Sequence, residues 1–161
     1  ILEMNLAPED FHPRFSATRR AYRYTILNQP WRSPLERRTA WQITQKLDLD
    51  RMADASQSLA GTQDFATFGQ PPQGVNTVRT VYGAGWQAEG SRIWFDIEAN
   101  AFLYRMVRSI VGTLVLVGWG QVSPREFVGF LQARDRSLVK QVAPAHGLCL
   151  MRVDYAAHEG V

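Results

Sequence analysis

From Ser109 to Gly120 the chain runs for twelve residues without a charged side chain. A stretch of that length is too short to cross a bilayer, so the rest of the chain has to cover it. At 161 residues there is enough chain to do so: one domain, or at most two small ones, builds a core at this size without staples. Hydrophobic content of 45% and charged content of 20% form an ordinary globular balance, which excludes a disordered tail, a collagen-like rod and a disulfide scaffold. Cys149 is the single cysteine of the sequence, so no internal disulfide can form. That fits a reducing compartment, and a cytoplasmic location is expected. No basic-then-apolar leader opens the sequence, and no membrane partner is expected.

The hydrophobic periods divide the chain into short elements. Residues 1–13 read as an entry segment with Pro8 and Pro13 and no clear period. Arg19 to Leu27 reads as a strand, rich in tyrosine and β-branched residues, that ends at Asn28-Gln29-Pro30. Trp31 to Glu36 is a loop, and Thr39 to Ile43 a short strand. Asp48 or Asp50 caps a helix whose apolar positions are Leu49, Met52, Ala53 and Leu59, with Gly61 expected to close it. Gly69 to Asn76 is a loop. Thr77 to Trp86 and Arg92 to Glu98 form a hairpin turning at Glu89-Gly90-Ser91, with Ile93, Phe95 and Ile97 on one face. Phe102 to Val117 is the strongest helix. Ser123-Pro124 opens another, through Leu131, with Ser at the N-cap, Pro at N1 and Glu126 at N3. Leu148 to Tyr155 is a final strand, and residues 157–161 a tail. This order predicts an α+β domain: an antiparallel or mixed sheet with helices packed on one face.

Charge is informative in kind more than in sum. The net charge is only +3, yet 16 of the 18 basic residues are arginine, Lys46 and Lys140 being the exceptions. Arginine-rich coding in a GC-rich genome accounts for this. A phosphate-binding surface does too, because guanidinium forks onto phosphate oxygens and stacks on bases. Two segments weigh on that choice. In Phe15-Ser16-Ala17-Thr18-Arg19-Arg20-Ala21-Tyr22-Arg23-Tyr24, a strand places Arg20, Tyr22 and Tyr24 on one face and Arg19, Ala21 and Arg23 on the other. A half-buried sheet with snorkelling arginines would look the same, but interleaved Arg and Tyr also suits an RNA strand with an unpaired base.

The second segment is the helix from Phe102. Leu103, Met106, Val107, Ile110, Val111 and Leu114 form its core stripe. Arg105, Arg108, Ser109 and Gly112 are expected on the opposite, polar face, with Arg108 at its border. A partly desolvated arginine needs an anion, and no Asp or Glu lies three or four residues from Arg108. Its partner has to come from elsewhere in the fold, from a ligand or from another chain. By contrast, Gln63-Asp64-Phe65 reads as a structural turn, and His146 in Ala143-Pro144-Ala145-His146-Gly147 as a loop residue. Cys149 and three scattered histidines show no metal-ligand spacing. There is no glycine-rich phosphate loop and no GxSxG elbow.

Taken together and in order, these segments resemble the C-terminal half of TruA-type tRNA pseudouridine synthases. The matching stretches are Phe11 to Ala17 leading to Tyr22-Arg23-Tyr24; Leu59-Ala60-Gly61 with Asp64-Phe65 and Phe68; and Arg79-Thr80. They continue through Asn100-Ala101-Phe102-Leu103 with Met106-Val107-Arg108 and Ile110-Val111-Gly112, then Ala143-Pro144-Ala145, Gly147-Leu148 and Val153-Asp154-Tyr155. The resemblance implies a C-terminal α+β domain over residues 14–156. It implies an isomerase that converts uridine to pseudouridine at positions 38, 39 and 40 of the tRNA anticodon stem-loop, on a base flipped out of its stack. It implies no cofactor, no metal, and a homodimer.

The resemblance also assigns roles. Tyr22 matches the tyrosine that stacks on the target uracil and helps remove the C5 proton. Arg108 matches the arginine that pairs with the catalytic aspartate. Leu148 matches an apolar residue under the tyrosine. Arg20, from the interleaved Arg and Tyr of its strand, and Arg105, at a position where that family varies, are candidate RNA contacts that the resemblance itself does not assign. The family's aspartate lies in a Gly-Arg-Thr-Asp motif of an N-terminal domain, and that motif does not occur in this sequence. The chain alone is therefore expected to be inactive and to need that N-terminal domain as partner. A stand-alone RNA-binding module is the alternative, and a generic α+β dimerisation domain a third.

Overall fold

The computed structural model describes residues 6–7, 9–71 and 74–156. The entry-segment positions 1–5 and 8, the loop positions 72–73 and the tail 157–161 lie outside them. Six strands form one sheet: β1 (Ala17–Asn28), β2 (Trp41–Ile43), β3 (Gly61–Asp64), β4 (Val78–Glu89), β5 (Arg92–Ala99) and β6 (Leu148–Tyr155). Three helices, α1 (Leu49–Gln57), α2 (Met106–Gly118) and α3 (Pro124–Ala133), complete the fold. Strand order is β2-β1-β5-β4-β3, with β6 pairing β1 beside β2. The β1–β2 pair is parallel and the remaining pairs are antiparallel, so the sheet is mixed and the domain is α+β, as expected.

β1 is the organising strand, and its alternation separates two environments. Tyr24 and Ile26 point inward and are fully buried with Phe95 and Ile97 of β5. The helices cover this face. Arg19, Ala21 and Arg23 point outward, where Arg23 pairs with Asp96 at 2.7 Å and Arg19 with Glu98 at 2.7 Å. The expected division of β1 into two faces is therefore the division the fold uses.

Local caps follow the sequence. The Asp48 side chain accepts from the Arg51 amide at the start of α1. Ser123 and Glu126 form a reciprocal capping box with Pro124 opening α3. Gly61 does not close α1. That helix stops at Gln57 with Ser58 as its C-cap, and Gly61 instead opens β3, which pairs antiparallel with β4. The expected turn at Asp64 follows directly: Asp64 ends β3 and its carboxylate accepts the Ala66 amide, but the short strand before it was not expected. Only polar and glycine residues mark it, so hydrophobic alternation could not reveal it.

The largest departure concerns α2. The helix begins at Met106, not Phe102, because Arg105 adopts a left-handed conformation (φ 62°) in front of it. Twelve of its thirteen residues are buried, and Arg108 alone is not. The polar face expected from Arg105, Arg108, Ser109 and Gly112 does not exist: Ser109 is fully buried and Arg105 lies outside the helix. Gly112 has a packing role. A Cβ there would stand 2.3 Å from the Gln141 carbonyl oxygen, so only glycine lets the 141–143 segment cross the helix this closely. From Ser109 to Gly118 the uncharged run is thus enclosed by protein on all sides, and its end, Trp119 and Gly120, comes to the surface.

Candidate active site

Three elements bring distant residues to one cleft. Tyr22 of β1, Arg108 of α2 and Leu148 of β6 line a cavity of about 280 Å³, with Arg14, Phe102 and Arg105 also in its wall. The inward face of β1 runs from core to rim across this site: Ile26 and Tyr24 are fully buried, whereas Tyr22 and Arg20 are only half-buried. Tyr22 is therefore the last aromatic before solvent on that face. β6 carries one extra residue, Met151, between the partners of Ala21 and Tyr22, a bulge of the kind that re-aims a side chain. The Phe102 ring meets Tyr22 edge-on, with centroids 5.0 Å apart and planes at 89°, which fixes the phenol ring in one orientation.

Arg108 is held by the chain that passes Gly112. Its Nε donates to the Ala143 carbonyl at 2.7 Å, and the Ala143 amide donates to the Arg108 carbonyl at 3.0 Å. Among the described residues Arg108 forms no ion pair, and its terminal nitrogens have no hydrogen-bond partner. A guanidinium anchored through Nε presents two parallel N–H groups, the geometry that takes a carboxylate bidentately. The next residue, Pro144, receives the Tyr24 hydroxyl at 2.8 Å. Burial pushes the Tyr24 phenol above its usual range, and the nearby Arg108 charge opposes that shift. Tyr24 and the Ala143-Pro144 carbonyls thus form the bed on which Arg108 rests. His146 meets the Ala40 carbonyl at 3.1 Å, outside the cleft, in keeping with a loop residue. Gly147 packs against the Tyr24 ring, where a Cβ would lie 2.7 Å from Cζ.

Two sequence-derived candidates sit differently from the rest. Arg105 lines the Tyr22 cleft, but from the left-handed residue before α2, with its guanidinium 5.0 Å from the Tyr104 ring centroid. A non-glycine residue in that conformation costs on the order of 1 kcal/mol. Arg20 does not line that cleft. It lies in an adjoining one, where its guanidinium donates to the Ala17, Asn100 and Arg14 carbonyls. Asp64 behaves as a structural residue: its carboxylate accepts from Thr77 Oγ1 at 2.5 Å and the Ala66 amide at 3.0 Å, and pairs with Arg134.

Sequence reasoning did not nominate Arg14, Phe102 or Ala143. All three lie in segments that match the family, and the cluster of Arg14, Arg19, Arg20 and Arg23 beside Tyr22 is the signal that points to Arg14. A backbone carbonyl such as that of Ala143 leaves no signal in side-chain chemistry. Among the described residues no group of three or more His, Cys, Asp or Glu could hold a metal ion, and no helix is long and apolar enough to cross a membrane.

A family model described as tRNA pseudouridine synthase matches residues 55–156. The tRNA pseudouridine synthase A of Maricaulis maris is 41% identical over 156 residues, 96% of this chain and 63% of that protein. Its counterpart from Roseiflexus sp. is 44% identical over 155 residues, 92% of this chain and 56% of the relative. That of Thermoanaerobacter sp. is 39% identical over 156 residues, 96% and 64% respectively. The chain spans about six tenths of the length of these relatives.

Proposed function

Because the chain belongs to the tRNA pseudouridine synthase family, we propose that residues 14–156 are the C-terminal domain of an isomerase acting on the tRNA anticodon stem-loop, at positions 38, 39 and 40. The observation that carries this reading is the convergence of Tyr22, Arg108 and Leu148, from three separate elements, on one cleft whose arginine has no carboxylate among the described residues.

In this reading a flipped uracil enters the cleft. It stacks on the free face of Tyr22, whose other contacts are set by Phe102. Leu148 gives the pocket an apolar floor that keeps water from the base. The two terminal N–H groups of Arg108 receive the catalytic aspartate, keep it ionised, and aim it at the sugar or base. That aspartate is supplied by residues beyond these 161, in an N-terminal domain of the same enzyme. The Tyr22 hydroxyl then serves as the base that removes the C5 proton once uracil has been rejoined through C5. The pair of domains acts as a homodimer in the cytoplasm, and Arg20 and Arg105 contact RNA around the cleft.

Pseudouridine mapping on a tRNA transcript tests the reading. The product of the full reading frame is expected to modify positions 38 to 40, and the 161-residue chain alone to modify none. Turnover by the isolated chain would overturn the requirement for an external aspartate. Salt-sensitive RNA binding by the full product without turnover would make it an RNA-binding module. Absence of RNA binding at low salt would leave only a dimerisation domain.

A further inference from the structure

Next to the Tyr22 cleft, and sharing its Tyr22 and Phe102 wall, lies a second cleft of about 600 Å³ into which Arg14, Arg20 and Arg79 all project. No carboxylate lines it among the described residues. Arg20 is fixed there by backbone: Nη1 donates to the Ala17 carbonyl at 2.7 Å and the Asn100 carbonyl at 2.6 Å, and Nη2 to the Arg14 carbonyl. Those dipoles hold the guanidinium in place without neutralising it.

Arg79 is less well satisfied. Its Nη1 donates to the Asn76 and Val78 carbonyls at 3.1 and 2.6 Å, while its Nε is buried and has no partner among the described residues. Burial pulls its pKa down, yet a guanidinium does not give up its proton in a protein. The cation is partly desolvated with no counter-ion among the described residues, which is unfavourable unless an anion arrives. At the edge of the same cleft, Asn100 accepts the Thr80 and Ala101 amides through Oδ1 at 2.9 and 2.8 Å. Its NH2 group is left as a further donor.

We propose that this second cleft is a phosphate subsite: it takes the backbone phosphodiester next to the nucleotide that enters the Tyr22 cleft, with Arg79 and Arg14 as its charge and Arg20 as its rigid wall. The inference rests on the functional reading above for the identity of the RNA, but the subsite is read from the cations themselves. Three guanidinium groups around a single opening exceed what one protein carboxylate would neutralise. A polynucleotide brings a charge with every residue and runs on from the base stacked on Tyr22. Arg14, which lines both clefts, stands where base and phosphate would meet.

The test uses the full-length protein and an anticodon stem-loop in which the phosphodiesters flanking the target uridine are replaced, one at a time, by uncharged methylphosphonates. Affinity is measured for the unchanged protein, Arg79→Ala and Arg79→Lys. One neutral linkage is expected to weaken binding by the unchanged protein about tenfold. Arg79→Ala is expected to weaken binding of unmodified RNA similarly, to add little with that same modified RNA, and to lower the salt slope by about 0.7. Arg79→Lys should recover part of the loss. Equal affinity for all the modified RNAs would overturn the subsite without reference to any variant. So would additivity of Arg79→Ala with every linkage, which would place a protein carboxylate there instead. Failure to form pseudouridine while the binding cycle holds would strike the functional reading and leave the subsite standing.

Discussion

On the outer face of the sheet, Arg19, Arg23 and Arg152 each meet a carboxylate: Glu98, Asp96, and the Glu98–Asp154 pair. On the inner rim, Arg14, Arg20, Arg79, Arg105 and Arg108 meet carbonyls or aromatic rings and no carboxylate among the described residues. Arg14, Arg19, Arg20 and Arg23 lie within ten residues of one another, and β1 contributes to both groups. What separates them is the counter-charge. The outer arginines are neutralised in place, and such exposed pairs add little stability. The inner ones converge on two adjoining clefts and remain open to an anion. Arginine density therefore does not mark the site; unpaired arginines sharing an opening do. The cleft beside Trp41 differs in having a carboxylate in its wall: Glu36, which pairs with Arg92, lies there with Arg32 and Arg37.

The sharpest way to break this comparison is one substitution from each group in the full-length protein. Arg108→Ala is expected to lower kcat by about a thousandfold, about 4 kcal/mol of transition-state stabilisation, with tRNA affinity nearly unchanged. Arg23→Ala should leave both within about twofold and cost about 0.5–1 kcal/mol of folding stability. Single-turnover kinetics beside a binding titration check both, and a strong affinity loss in Arg108→Ala would recast it as a phosphate clamp.

The bed beneath Arg108 gives the next effect. Gly112→Val forces a branched side chain against the Gln141 carbonyl and should cost about 2–3 kcal/mol. It should also lower activity, because the displaced segment carries Ala143. Gly129→Ala, where nothing lies within 4 Å of the added Cβ, is expected to gain about 0.5–1 kcal/mol of helix stability. Urea denaturation distinguishes the two.

Away from the clefts, Asp64 sharpens the contrast between a carboxylate used for structure and one awaited for chemistry. The Thr77 hydroxyl foremost, then the Ala66 amide and Arg134, outweigh burial and hold its carboxyl below the usual value of 3.8. Because the folded value is depressed, its contribution is present above the ordinary carboxyl pKa and is lost as pH falls through the lower, folded one. Asp64→Asn should therefore cost about 1 kcal/mol at neutral pH, with the gap to the unchanged protein closing below about pH 4. Thermal melts across acidic pH read this directly. The smallest effect is expected at Ser109, whose hydroxyl is buried without a partner. Ser109→Ala should be neutral or stabilising by up to about 1 kcal/mol, with no change in the Arg108 geometry.

Much of this is legible in the sequence alone. The β1 alternation, the hairpin at Gly90, the Ser123 capping box and the C-terminal strand all follow from local patterns, and local physics decides them. Arg108 was legible by its lack of a nearby acid. The polar face of α2 was not, because a helix covered on every side obeys the whole fold and not its own period. β3 was hidden because its residues are polar and its pairing is non-local. Tyr22 and Tyr24 look alike in sequence, and only the distance of each from the sheet rim separates a cleft-lining ring from a core one.

The central proposal is that Arg108 holds an aspartate supplied from outside these 161 residues. It is tested most directly by the pH dependence of kcat/KM for the full-length protein and its Arg108→Gln variant, measured under single-turnover conditions. An arginine at hydrogen-bond distance lowers a carboxylate pKa by about 1–3 units. Its loss should therefore move the acidic limb of the profile to higher pH by about a unit or more. An acidic limb that stays where it was, with only the plateau lowered, would mean that Arg108 does not touch that carboxylate.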